Sequence, residues 1–147
     1  MEIKNTVFLV QTDTTVGLLS KNAKRLAFIK KRDGKKLFIK SVATFKELKK
    51  EVRIPDNFKK TVRRKKRTTF IYPNKKALRV VKKSSHQAFL RRFGWMYSTS
   101  ANKTGCGFDF SWIKDRVDII IFDRKKFSQK TPSQLYKLRD KKIKRIR

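Results

Sequence analysis

The sequence predicts a single α/β domain, residues 1–147, in which a twisted mixed sheet is flanked by helices. Three observations lead there. Short runs rich in β-branched and aromatic residues alternate with stretches that carry helix caps. No internal repeat and no Gly- or Ser-rich linker divides the chain. Its 147 residues, 38% of them hydrophobic and twelve of them Phe, are enough for one core without a disulfide or metal staple.

The elements follow in order. Residues 6–10, Thr-Val-Phe-Leu-Val, read as a buried strand. The polar stretch 11–20 contains Gly17 and begins as a loop. Ser20 or Asn22 caps a helix to about Lys31, with Ala23, Leu26 and Ala27 on one side. Asp33-Gly34 marks a turn, and residues 37–40 read as a strand. Thr44 and Glu47 have the spacing of a capping box, each side chain reaching the other's backbone N–H, and a short helix should run to about Val52. Pro55 breaks it, and Asp56 caps another short helix that ends in basic residues. Residues 68–72 and 77–81 form two strands joined at Pro73-Asn74. Ser84 or Ser85 caps a helix to Phe93. Residues 95–97 form a strand leading into Ser98-Thr99-Ser100-Ala101-Asn102. Residues 110–117 are helical, with Asp109 near the start. Residues 118–122, Asp-Ile-Ile-Ile-Phe, form a strand that should be buried on both faces. Beyond Pro132-Ser133 the chain ends in a basic tail, residues 137–147.

Lys and Arg outnumber Asp and Glu by 42 to 11, for a net charge of +31. In a globule with a radius of gyration of about 15 Å, such a charge repels itself and favours anionic partners, phosphates above all. Seven of the nine residues 59–67 and seven of the eleven residues 137–147 are basic. Attraction to any polyanion, weakened by salt, follows from charge alone and says little about specific function. The single Cys106 excludes an internal disulfide, and one His with one Cys excludes a zinc site. No apolar run is long enough to cross a membrane, and no signal peptide opens the chain, so a cytoplasmic location is expected, with no membrane partner. Walker A and GxGxxG patterns are absent.

No arrangement of residues fits covalent catalysis. Ser98 and Ser100 lack a His–carboxylate relay, His86 reads as a surface polar residue, and Cys106 has no base near it in sequence. What remains is of another kind. Thr12, Thr14 and Thr15 follow the first strand, Lys30 and Arg32 end a helix, and Ser98 to Asn102 follow a later strand. Hydroxyls, an amide and cations at strand ends are what a nucleotide phosphate site needs: cations offset charge, and hydroxyls and backbone N–H groups set the geometry.

Taken together and in this order, the elements resemble the YrdC/YciO/YwlC family, the threonylcarbamoyl-AMP synthases. The family's T-D-T-V-Y-G-L corresponds to Thr12-Asp13-Thr14-Thr15-Val16-Gly17-Leu18, and its K-x-R-P to Lys30-Lys31-Arg32-Asp33. Its strand arginine corresponds to Arg79, its S-T-S-A-N signature stands intact as Ser98 to Asn102, and its V-D-x-I-x-D strand to residues 117–123. Its P-S-T-I corresponds to Pro132-Ser133-Gln134-Leu135. The resemblance covers about residues 6–139. It implies a mixed sheet with helices around a basic cavity. It also implies formation of threonylcarbamoyl-adenylate and pyrophosphate from L-threonine, bicarbonate and ATP with magnesium. That product serves threonylcarbamoyladenosine modification of tRNA, with partner proteins making the transfer.

Carried over residue by residue, the resemblance assigns Lys30, Arg32, Thr69, Asn102 and Arg145 to ATP. It assigns Thr14, Lys35, Arg79, Ser100 and Ser133 to threonine. The protein supplies no covalent nucleophile and no metal ligand. The sequence departs from the family pattern at Asp33 in place of proline, at Val16 in place of the aromatic, and at the W-P-G-P-x-T element. There, Arg64-Lys65-Lys66-Arg67-Thr68-Thr69 keeps only the threonines, and the R-P-G close is missing. A second reading keeps the fold without the chemistry: a protein that binds double-stranded RNA, tRNA or rRNA through Arg63, Arg64, Lys65, Lys66 and Arg67.

Overall fold

The computed structural model describes residues 2–33 and 37–147. In chain order its regular elements begin with strands β1 (Val7–Gln11) and β2 (Val16–Ser20), helix α1 (Ala23–Lys30), strand β3 (Ile39–Val42) and helices α2 (Phe45–Glu51) and α3 (Lys59–Arg64). Strands β4 (Thr68–Ile71) and β5 (Ala77–Val80), helix α4 (Ser85–Phe93) and strand β6 (Trp95–Ser100) follow. The single-turn helix α5 (Phe110–Ile113) and strands β7 (Ile119–Ile121), β8 (Gln134–Leu138) and β9 (Ile143–Arg145) complete the set. Strands and helices mix throughout, so the fold class is α/β with mixed sheet pairing, as the sequence predicts. The chain divides into two compact units.

The first unit comprises Met1–Phe38 and Met96–Pro132. Its strands lie in the order β7-β1-β2-β6. β1 runs parallel to β7 and antiparallel to β2, and β2 is antiparallel to β6. Side chains alternate across a strand, so Val7 and Leu9 of β1 share a face, as do Val16 and Leu18 of β2. These meet Leu26 and Ile29 of α1 and Ile113 of α5 in one core. Asn22 caps α1 by accepting from the Arg25 N–H at 3.2 Å. Asp118 ties the start of β7 to β1: its carboxylate accepts from the Val7 N–H at 2.8 Å, and its own N–H donates to the Val7 carbonyl at 3.0 Å. Arg25 of α1 pairs with the same carboxylate.

The second unit comprises Ile39–Trp95 and Ser133–Arg147. Its strands lie in the order β3-β5-β4-β8-β9. The β3–β5 and β4–β8 pairs are parallel, and β4–β5 and β8–β9 are antiparallel. Val42, Leu48, Val62, Phe70, Leu78 and Leu138 form its core. Thr44 caps α2 by accepting from the Glu47 N–H at 3.2 Å, while the Glu47 carboxylate is engaged by Lys50 at 3.1 Å. Ser84 caps α4 through the Gln87 N–H. Gly94, at φ +81°, ends α4 with its N–H on the Leu90 carbonyl, a conformation that favours glycine. Glu51 receives Lys40 at 2.8 Å and Lys76 at 3.1 Å. Those hydrogen bonds hold its carboxyl below the usual range.

Several expectations are corrected. The stretch 11–20 does open with a loop, residues 12–15, but residues 16–20 then form a strand that the sequence reading did not name; the polar opening hid an apolar run with a glycine inside it. Strand 118–122 is not buried on both faces. β7 stands at one end of its unit's strand order, with Ile121 36% and Phe122 69% exposed, because an apolar run is the same signal for a buried and an edge strand. The strand expected at 37–40 lies at Ile39–Val42, and the helix at 110–117 is one turn. Asp56 does not cap: Pro55 holds that position, and the Asp56 carboxylate meets Lys59 at 2.8 Å. The basic tail is a hairpin, β8 to β9, whose lysines masked the inward Leu138. His86 is buried at 1% exposure, because it lies four residues before Leu90 on the inward face of α4.

The Asp118 linkage carries a pH signature. Its hydrogen bond from Arg25, and with it the Val7 N–H, holds its native pKa below the unfolded value. The stability it contributes is therefore complete above the unfolded pKa, about 4, and is lost as pH falls through the native one. Acid unfolding followed by circular dichroism should show Asp118→Asn less stable at neutral pH, with the difference shrinking below pH of about 4.

Candidate functional site

In the first unit, the candidate residues lie where the β1–β2 hairpin turns and where α1 and β6 end. The hairpin connection is residues 12–15. Thr12 organises it: its hydroxyl donates to the Thr15 carbonyl and accepts from the Thr14 N–H at 3.2 Å. The Thr12 and Thr14 hydroxyl oxygens are 3.1 Å apart. The Thr12 proton is already given to Thr15, so Thr14 is the donor in that contact. The Thr14 oxygen keeps lone pairs for a ligand N–H. Both threonines are buried. Gly17 makes this packing possible, because a Cβ there would stand 2.8 Å from the Thr12 methyl carbon.

Lys30 is the last residue of α1. The helix closes through Lys31 in the left-handed conformation, φ 50°, with Arg32 N–H on the Ala27 carbonyl. Only 4% of Lys30 is exposed. Its ammonium donates to the Ser100 carbonyl at 2.9 Å and to the Asn102 carbonyl, and lies 3.4 Å from the Asn102 side-chain oxygen. Burial first, and then the charge of Arg32, lower its pKa to about 8. The Asn102 amide donates to the Cys106 carbonyl at 2.7 Å and to that of Lys103 at 3.1 Å, holding the loop after β6. Ser100 pairs with Gly17 in the β2–β6 ladder. Arg32 lies 5.3 Å from the Phe38 ring centroid. Its Nε is buried and has no hydrogen-bond partner among the described residues. Burial lowers its pKa, yet a guanidinium stays charged. An unsatisfied charged donor beside the buried Lys30 ammonium is chemically suited to an anion.

In the second unit, Thr69 of β4 and Ser133 form a buried hydroxyl pair 2.8 Å apart. Arg147 reaches it, with Nε 3.0 Å from the Ser133 carbonyl and Nη2 3.3 Å from its hydroxyl. Burial lowers the Arg147 pKa. Arg79 is buried in β5, paired in register with Ser41 of β3. Arg145 lies elsewhere, exposed over the Tyr136 ring at 6.0 Å. Arg63 and Arg64 close α3, and with Lys66 and Arg67 they are exposed. Lys65 is half-buried, 4.8 Å from the Tyr136 ring centroid and 3.2 Å from its hydroxyl. Lys35 lies outside the described residues.

The first-unit cluster thus contains Thr14, Lys30, Arg32, Ser100 and Asn102, and the second-unit cluster contains Thr69 and Ser133. Sequence reasoning noted Thr12 among the strand-end hydroxyls but gave it no role of its own, and it missed Arg147. Thr12 was visible as a hydroxyl two residues before another, the spacing of a local side-chain turn. Arg147 had no signal, since it is one of seven basic residues in the last eleven. Among the described residues, no group of three His, Cys, Asp or Glu side chains could hold a metal ion. No described helix is long and apolar enough to cross a membrane.

No protein-family model matches the chain, and no curated protein sequence does. Solved structures do. P. abyssi Sua5 complexed with L-threonine superposes with a TM-score of 0.77 at 18% identity, covering 99% of this chain and 51% of that one. E. coli YciO gives 0.76 at 23% identity, covering 97% of this chain and 82% of that one. A further Sua5 structure, the H234A/Y235A variant, gives 0.78 at 14% identity, with coverage of 96% and 52%. The chain spans about half the length of the Sua5 structures. At these identities the likeness is one of fold: the chain has the YrdC/Sua5 fold.

The Gly17–Thr12 contact is open to a double-mutant cycle. Gly17→Ala should cost about 1–3 kcal/mol by overpacking, read as a lower thermal midpoint. Thr12→Ser removes the methyl group and keeps the hydroxyl, so in that background Gly17→Ala should cost much less.

Proposed function

We propose that this chain, with the fold of Sua5 and YciO, forms threonylcarbamoyl-adenylate and pyrophosphate from L-threonine, bicarbonate and ATP, for tRNA threonylcarbamoyladenosine. The observation that carries the reading is the buried Lys30 ammonium beside the half-buried Arg32, whose buried Nε has no hydrogen-bond partner among the described residues. The intact Ser98 to Asn102 segment closes on Lys30. The L-threonine complex of Sua5, on the same fold, supports the amino-acid substrate.

The chemistry needs no protein nucleophile. The threonine amine and bicarbonate give a carbamate and water. A carbamate oxygen attacks the α-phosphorus of ATP, the bond from that phosphorus to the bridging oxygen breaks, and pyrophosphate leaves with the electron pair. Negative charge grows on the departing pyrophosphate, and the task of the protein is positioning and charge stabilisation. In this reading Arg32 and Lys30 meet the phosphates, with magnesium arriving on ATP. Asn102 and Thr69 contact the nucleotide. The Thr14 oxygen accepts from the threonine nitrogen, with Ser100, Ser133, Lys35 and Arg79 completing recognition of the amino acid. Arg147, rather than Arg145, is the arginine assigned with Ser133. Partner proteins carry the product to tRNA.

The test is pyrophosphate release by protein stripped of nucleic acid in high salt. Release should require both threonine and bicarbonate, and Arg32→Ala should lower kcat/KM by about 10²–10³-fold. Release that is independent of threonine, or none from a folded protein, overturns the reading.

The Lys30 pKa of about 8 adds a second expectation. Its ammonium is lost as pH rises through that value, so ATP affinity measured by calorimetry should fall about tenfold from pH 7 to 9. Lys30→Arg should remove that fall.

The exposed Arg63, Arg64, Lys66 and Arg67 favour a second reading, a non-catalytic protein for double-stranded RNA, tRNA or rRNA. Saturable binding of structured RNA that survives Lys30→Ala and ignores threonine, with no pyrophosphate release, would select it.

A further inference from the structure

Phe108 and Phe127 pack against the core of the first unit, and two further rings extend outward from them into solvent. Phe110 stacks on Phe127, with centroids 6.1 Å apart and planes 24° apart. Phe122 lies 5.6 Å from Phe127 and 6.5 Å from Phe110. Phe122 is 69% exposed and Phe110 38%. Neither ring belongs to the core cluster of the first unit.

The rings sit on an anchored segment. The Ser128 N–H donates to the Gln11 side chain at 2.9 Å, and the Gln129 side chain accepts from the Phe108 N–H at 2.8 Å. The Lys130 N–H donates to the Thr15 hydroxyl at 3.3 Å. Three attachments on consecutive residues hold Phe127, and with it the rings it carries, so the exposed faces are preorganised. Cations adjoin them in the chain: Arg124, Lys125 and Lys126 lie between Phe122 and Phe127, all exposed. The nearby acids are committed to backbone. Asp109 accepts from Ser111 and Trp112 at the start of α5, and Asp123 accepts from the Lys125 N–H.

A second copy of a chain with net charge +31 is repelled from such a surface. A polyanion is attracted, and among polyanions the rings select for π faces. Bases inside a duplex are stacked on one another and present only their edges, whereas unpaired bases offer their faces. We propose that Phe110, Phe122 and Phe127 form a stacking platform for the unpaired bases of a single-stranded polynucleotide, with Arg124, Lys125 and Lys126 on its phosphates. This inference stands apart from the catalytic reading, which pyrophosphate release tests through other residues.

The experiment is fluorescence anisotropy on the full chain with three labelled probes of about 12 units: oligouridylate, oligothymidylate and an RNA duplex. Salt is varied from about 50 to 200 mM. Oligouridylate should bind more tightly than the duplex at the higher salt. Equal affinity for oligothymidylate identifies a platform indifferent to the sugar, and weaker affinity one that prefers RNA. Phe122→Ala should weaken single-strand binding by about tenfold, leave the duplex and the salt slope unchanged, and be rescued in Phe122→Tyr. Lys125→Gln should instead flatten the salt slope for both. Phe122 is exposed, so a thermal melt matching the wild type is expected of each variant. Unchanged single-strand affinity in Phe122→Ala and Phe110→Ala, or an equal loss for the duplex, overturns the proposal. So does a change in oligomeric state without a change in oligouridylate affinity.

Discussion

A buried ammonium organises the first unit. Lys30 leaves the end of α1 and reaches the carbonyls of Ser100 and Asn102. A cation taken out of water must find oxygen partners, and these carbonyls are at hand because β6 ends there. Asn102 in turn holds its own loop through its amide, so helix end, strand end and loop form one hydrogen-bonded assembly. Desolvation and the neighbouring Arg32 pull against the charge and lower its pKa to about 8. Among the described residues, the ammonium is held by the neutral dipoles of Ser100 and Asn102 and by no carboxylate.

The same logic scales to the whole chain. With 42 basic and 11 acidic side chains, most cations have no acidic partner available. Ion pairs are placed where they support the fold: Asp118 with Arg25 at the β1–β7 start, and Glu51 with Lys40 and Lys76 beside the β3–β5 pairing. Lys40 and Lys65 use aromatic faces as well. What is left over is an exposed basic surface, whose charge attracts polyanions without regard to their sequence. Discrimination must therefore come from geometry. In the two readings proposed above, the anchored Phe127 segment and the Thr12–Thr14 turn would provide it in two chemically different forms.

Residues that announce local structure were legible. Asn22, Thr44, Ser84 and Asp109 each accept a backbone N–H at a helix start, as their residue types imply. The order of T-D-T, K-x-R, S-T-S-A-N and P-S elements was enough to indicate the fold that the solved structures share. Elements whose signal depends on neighbours were not legible. β2 needs its partner strands to make Gly17 meaningful, and β9 is exposed along its length and declares itself only by pairing with β8.

By itself the sequence determined the fold class, most of the helix starts and the chemical types at the site, because caps, periodicity and residue identity act over a few neighbouring positions. Tertiary structure decided which basic residues are buried and which arginine meets Ser133, and it set which face His86 turns inward. It also decided that Phe110 and Phe122 stay in solvent. Those outcomes depend on burial and distance between residues far apart in the chain, and one lysine or phenylalanine looks like another until packing removes some of them from water.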